Sequence, residues 1–129
     1  MFVRLAQLIS RINLAKAQRI ESFKIANSKI NFLMVFKLEE LGILRGFSVE
    51  EGNILHVYMK FVKKRVPFVK LWLVGKSSRS GSISLERLRL LADKNGSSIY
   101  ILSTGRGFLT HTECFTLKCC GEVVVKIDL

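Results

Sequence analysis

The sequence predicts an α+β protein of two small domains, and three observations support this. The chain has 129 residues, enough for one domain or two very small ones with a buried core. Apolar residues make up 49% of it, with 9 glycines and 1 proline, which is typical of a folded protein. Helical and strand-like apolar spacings are interleaved in the first half, whereas the second half is mainly strand-like.

The first half predicts the element order α-β-α-β-β. A helix is predicted over 1–17 from apolar residues at helical spacing, which are Leu5, Leu8, Ile9 and Ile12. A strand over 20–26 follows, and then a second helix that starts after Asn27-Ser28 and ends at Gly42. Its apolar residues are Ile30, Leu33, Met34, Leu38 and Leu41. Strands over 46–50 and 54–62 flank a hairpin turn at 51–53.

A basic stretch lies between the two halves. Residues 60–79 contain seven lysines and arginines, no acidic residue, and Pro67. This change in composition predicts domains over 1–64 and 65–129. A charge run is often only a solvated face, but the lack of acids favours a surface that binds a polyanion, with Lys63 as a candidate contact.

The second half predicts a mostly β unit with one short helix. Strands are expected over 68–74, 98–103 and 121–127, with extended chain at 108–109. A polar turn covers 76–81. Leu85, Leu88 and Leu91 predict a helical segment that ends before Asn95-Gly96.

The charge and the apolar pattern restrict the partners. The net charge of +11 favours nucleic acid first and an anionic membrane second. No apolar run approaches the ~20 residues that span a bilayer, so a membrane partner is not predicted. Residues 1–19 are basic, amphipathic and free of acids, so they could be a transit peptide or the first helix of the fold. Three cysteines, two of them adjacent, do not suggest a disulfide framework and favour a reducing compartment.

Catalytic and metal motifs are weak. Ser103, His111 and Glu113 have the residue types of a hydrolase triad, but no G-x-S-x-G elbow is present. His111 and Cys114 begin like a metal site, although the adjacent pair after them lacks C-x-x-C spacing. We therefore predict no enzyme, no cofactor, no metal and no small-molecule substrate. A small basic RNA-processing or RNA-modifying enzyme is the alternative.

The most informative segment is Ser103-Thr104-Gly105-Arg106-Gly107, which we call the STGRG loop. It lacks the G-K-[S/T] ending of a nucleotide-binding loop. Its glycines allow backbone N–H groups to approach a phosphate, its hydroxyls suit 2′-hydroxyls, and its guanidinium can bind a phosphate. Such a loop suits the shallow minor groove of folded RNA. From the residues alone, an RNA-binding loop and a plain hairpin turn both remain open.

The chain resembles the small-subunit ribosomal protein eight family, in its bacterial and organellar form. In that family an apolar strand leads to Ser-Thr-Ser-Lys-Gly, and Gly-Gly-Glu precedes a last apolar strand. The segment IYILSTGRGFLTHTECFTLKCCGEVVVKI has the same arrangement, with STGRG and CGE at these two places. LISRINLAKA resembles its first helix, and NSKINFLMVFKLEELGILRGFSVE its second helix and following strand. Residues 53–94 match weakly. The resemblance implies two small domains and a first helix that belongs to the fold.

The resemblance also implies a function. It is that of a structural constituent of the small ribosomal subunit, which binds the central domain of the small-subunit ribosomal RNA during assembly, beside neighbouring small-subunit proteins. The departures from the family pattern and the cysteines favour a fast-drifting organellar member. We expect a mitochondrion, with a plastid or the bacterial cytoplasm as alternatives.

The family's RNA-binding residues can be carried over one at a time. Ser103, Thr104 and Gly107 match the motif, and Arg106 replaces its lysine. Gly105 replaces the second serine, so one hydroxyl contact to RNA is expected to be missing.

Other family contacts lie outside the loop. Glu122 matches the glutamate that supports the loop, but Cys120 replaces a glycine and puts the close backbone approach in doubt. Ser28 and Lys29 match an RNA-facing helix cap. Arg79 and Gly81 match an S-R-x-G turn, with Ser80 in place of its proline.

Overall fold

The computed structural model describes residues 2–74, 82–94 and 96–129. It has the predicted α+β class and divides into two compact units, Met1–Val69 and Lys70–Leu129. The boundary predicted after residue 64 precedes this division by a few residues. The extents of the independently folding domains stay a prediction.

The first unit has the predicted order α-β-α-β-β. Its elements are α1 (Phe2–Gln18), β1 (Ser22–Ala26), α2 (Lys29–Glu40), β2 (Leu44–Glu50) and β3 (Ile54–Met59). The sheet is antiparallel in the order β1-β3-β2. Leu5, Leu8 and Ile12 on α1 are fully buried, as their helical spacing predicts. Strand β3 ends earlier than predicted, because Val62 pairs with Arg65 in a separate tight turn.

The described residues of the second unit form four strands and two helices. Its elements are β4 (Lys70–Leu73), α3 (Leu85–Lys94), β5 (Ser98–Thr104), β6 (Gly107–Thr110), α4 (His111–Leu117) and β7 (Glu122–Asp128). The antiparallel strands have the order β4-β7-β5-β6. A core cluster joins both helices to the sheet, and consists of Leu88, Tyr100, Leu102, Leu109, Cys114 and Val123. The turn predicted over 76–81 lies outside the described residues.

Helix α4 was not predicted. The Thr110 hydroxyl accepts a hydrogen bond from the Glu113 N–H at 3.2 Å, and the Glu113 carboxylate accepts one from the Thr110 N–H at 3.0 Å. This reciprocal capping box starts the helix directly after β6. Across the described helices, none is long and apolar enough to cross a membrane.

Candidate RNA interface

The STGRG loop is the hairpin turn between β5 and β6. Thr104 pairs with Gly107 across the hairpin, which leaves Gly105 and Arg106 at its tip. The Thr104 hydroxyl donates to the Gly107 carbonyl at 2.9 Å and accepts from the Arg106 N–H at 3.0 Å. These two hydrogen bonds hold the turn in one conformation. The hydroxyl keeps one acceptor position for an outside donor.

The tip of the loop is open to a ligand. Arg106 is exposed and forms no ion pair with any described residue. A Cβ atom added at Gly105 or Gly107 would have no neighbour within 4 Å. Gly107 has a φ of +99°, a conformation that favours glycine. A phosphate group can therefore approach the backbone and the guanidinium without steric hindrance.

Gly121 holds the base of the loop against β7. A Cβ there would lie 2.4 Å from the Ser103 carbonyl oxygen and 2.7 Å from the Thr104 Cγ2, so only glycine fits. In the sequence, Cys120 replaces a family glycine, and this put the close backbone approach in doubt. The structure shows that Gly121 makes this approach and that Cys120 is exposed, so the cysteine does not block it. Sequence reasoning missed Gly121, although its place before Glu122 was a usable signal.

Glu122 lies beside the loop. It is paired with Ser103 in the β5–β7 register and is half-buried. Its Oε1 atom is buried and has no hydrogen-bond partner among the described residues. Buried acceptors in native proteins are normally satisfied, so this oxygen is available to a donor at the base of the loop.

The other predicted contacts lie in the first unit or outside the described residues. The Ser28 hydroxyl caps α2 by accepting from the Asn31 N–H at 3.2 Å, and Lys29 beside it is exposed. Lys63 lies past the opposite end of β3, so these contacts in the first unit do not converge. Arg79 and Gly81 lie outside the described residues. Within the described part of the second unit, the structure brings Glu122 together with the five loop residues.

The polar residues considered for catalysis support the fold. The His111 Nδ1 accepts from the Tyr100 N–H at 3.1 Å, and burial lowers the pKa of this histidine because it disfavours the charged ring. Burial raises the pKa of the Cys114 thiol. Within the described ranges, no group of three or more His, Cys, Asp or Glu could hold a metal ion.

Comparisons with known proteins identify the family of this chain. A sequence model of the family described as Ribosomal protein S8 matches residues 4–127. The "Small ribosomal subunit protein uS8m" of Acanthamoeba castellanii, a mitochondrial protein, is 25% identical over 96% of this chain and 98% of its own. The "Small ribosomal subunit protein uS8" of Nitratiruptor sp. is 31% identical over 95% of this chain and 96% of its own. That of Geobacter sulfurreducens is 26% identical, with 95% of each chain covered.

The chain belongs to the Ribosomal protein S8 family. It is therefore a structural constituent of the small ribosomal subunit rather than an enzyme, and this prediction from the resemblance is confirmed. Ribosomal RNA and ribosomal proteins are the partners that this family implies.

Proposed function

We propose that this protein binds and organises the central domain of the small-subunit ribosomal RNA through the STGRG loop. The observation that carries the proposal is an exposed arginine that forms no ion pair with a described residue, at the tip of a hairpin whose turn is stabilised by internal hydrogen bonds. A fixed loop loses little conformational entropy when it binds, so more of its interaction energy contributes to affinity.

The contacts differ in kind. Arg106 binds a backbone phosphate, for which a guanidinium gives charge-assisted, forked hydrogen bonds. The hydroxyls of Ser103 and Thr104 face sugar 2′-hydroxyls, which the wide minor groove of folded RNA displays. Glu122 supports the loop from β7. Ser28, Lys29, Lys63 and Arg79 add contacts elsewhere on the protein.

Replacement of Arg106 by alanine tests this proposal. The free energy of binding to a central-domain RNA fragment should weaken by about 1–3 kcal/mol, because a charge-assisted hydrogen bond is lost. The melting temperature should not change, since Arg106 is exposed and holds the turn only through its backbone. Filter binding and thermal unfolding measure the two quantities.

Arg4→Ala is the matched control, because it removes the same side chain from an exposed position on α1. It should change the affinity by less than about twofold. Wild-type protein must also prefer the central-domain fragment to a random RNA duplex of equal length. Equal affinity for the two RNAs, or a lower melting temperature of Arg106→Ala with unchanged binding, would contradict the proposal.

We further propose that the ribosome concerned is mitochondrial. The mitochondrial relative from Acanthamoeba castellanii supports this, and the bacterial relatives fit the bacterial origin of organellar ribosomes. Neighbouring small-subunit proteins complete the set of partners. The plastid and the bacterial cytoplasm are the alternative locations.

A further inference from the structure

A basic cleft of about 410 Å³ lies in the first unit, far along the chain from the STGRG loop. We define the basic cleft by its four cations, Lys16, Arg19, Lys64 and Arg65. Lys16 and Arg19 come from the end of α1, and Lys64 and Arg65 from the tight turn after β3. Phe61 and Phe68 line its wall. Two distant segments of sequence therefore place cations around one cavity.

The turn that supplies Lys64 has an unusual composition. Val62 and Arg65 exchange two backbone hydrogen bonds, of 2.7 and 3.1 Å, around a two-residue tip. The tip residues Lys63 and Lys64 have φ values of +52° and +66°. Two positive φ values define the hairpin turn in which Asn-Gly is strongly favoured, so two lysines are strained there.

A third strained cation lies on the other side of the basic cleft. Arg19 follows α1 with a φ of +56°, at the place where a helix usually has glycine. Favourable interaction with the helix dipole explains why cations are found near this end of α1. It does not explain Lys63 and Lys64, which belong to another segment. Residues held in strained backbone conformations are concentrated at functional sites.

The cations of the basic cleft have no anionic partner among the described residues. None of the four, nor Lys63, forms an ion pair with a described carboxylate. The Lys16 ammonium donates to the Val69 carbonyl and lies 5.7 Å from the centre of the Phe68 ring, which fixes its position and leaves two donors. A cluster of like charges at a cavity attracts anions.

We propose that the basic cleft, together with Lys63, binds backbone phosphates of RNA as a second contact, separate from the STGRG loop. The inference rests on the proposed function, because it takes the same class of ligand. The strained turn directs Lys63 and Lys64 at the RNA backbone, and Lys16 and Arg19 bind phosphate from the α1 side. Because these contacts are to phosphates, they contribute affinity and salt dependence rather than sequence selectivity.

The double variant Lys63→Asn/Lys64→Gly separates binding from stability. It gives the turn its favoured residues, so the melting temperature should rise by about 2–6 °C. It also removes two phosphate contacts. The affinity for the central-domain fragment at 0.15 M salt should fall roughly 10- to 30-fold, and the slope of log affinity against log salt should decrease by roughly 1.5–2. Arg19→Gly, a variant on the other wall, should weaken binding in the same way.

The matched control is Arg4→Gln/Lys94→Gln, which removes two exposed cations outside the basic cleft. If this control lowers the affinity and the salt slope as much as the double variant and Arg19→Gly do, the inference is overturned. The inference is also overturned if the affinity for RNA is unchanged in both cleft variants. If the wild-type protein then binds an acidic peptide and the two cleft variants do not, the cleft is assigned to a protein partner. In either case, weaker binding by Arg106→Ala would leave the proposed function intact.

Discussion

The hydroxyl of Thr104 shows how one side chain can serve both the fold and the ligand. Its single proton is donated to the Gly107 carbonyl, and one acceptor position is used by the Arg106 N–H. The side chain therefore stabilises the turn, and towards RNA it can act only as a hydrogen-bond acceptor. The side chains that can donate hydrogen bonds to RNA are the Ser103 hydroxyl and the Arg106 guanidinium.

Gly105 stands where the resemblance to the family implies a serine, and the structure makes this difference testable. A Cβ there meets nothing within 4 Å, and its φ is not positive. Gly105→Ser should therefore be accommodated and should raise the affinity for the central-domain fragment about 2- to 10-fold, because a hydroxyl contact is regained. Gly105→Ala provides the control without a hydroxyl. Equal affinities of the serine and alanine variants would show that no hydroxyl contact is missing.

The sequence predicts the loop residues better than it predicts their support. Ser103, Arg106 and Gly107 are recognisable because hydroxyls, a guanidinium and glycines are concentrated between two strands. The need for glycine at Gly121 depends on the β5–β7 register, which brings it against Ser103 from 18 positions away. Periodicity within one segment carries no information about such a contact.

At the scale of elements, α4 is set by its first turn. Glu113→Ala should lower the free energy of unfolding by about 1 kcal/mol, because the Thr110 N–H loses its acceptor. Glu113→Gln should have a much smaller effect, since glutamine also completes a capping box. Chemical denaturation measures both values. Equal losses in the two variants would mean that charge, rather than capping, is the contribution of Glu113.

A helix could be predicted in detail where a single apolar spacing was clear in its sequence. The apolar stripe of α1 is clear: the four residues predicted from it are buried, and so is Ala15, which was not predicted. In α2 nearly every face is apolar, so Leu33 was grouped with the apolar stripe although it is 38% exposed, whereas Asn31 and Val35 are buried. Helix α4 is short and polar at its start, so only the Thr-x-x-Glu pattern indicated it.

The turn after β3 could not be predicted from local rules. Asn-Gly and Asp-Gly signal such a hairpin, but Lys63-Lys64 does not. The residues Lys16 and Arg19, which share the basic cleft with Lys64, are about 45 positions earlier in the chain. The basic stretch over 60–79 did predict a polyanion-binding surface in this region, and that stays a prediction.

At the scale of the molecule, the excess of cations is the property that connects fold and function. Lys24, Lys37 and Lys126 pair with carboxylates, and most other lysines and arginines of the described residues form no ion pair. Each compact unit carries candidate RNA contacts of its own, the basic cleft in the first and the STGRG loop in the second. The net charge of +11 predicted a polyanionic partner, but the resemblance and the family match were needed to identify the ribosome.

Cross-linking in the assembled particle can show whether the STGRG loop contacts the central domain of the small-subunit RNA. Small ribosomal subunits are purified from cells that make the protein and irradiated with ultraviolet light, and the cross-linked peptides and RNA are identified by mass spectrometry and sequencing. We expect cross-links from peptides that contain the STGRG loop to the central domain of the small-subunit RNA. Absence of the protein from the small subunit, or cross-links of the loop confined to another RNA domain, would contradict it.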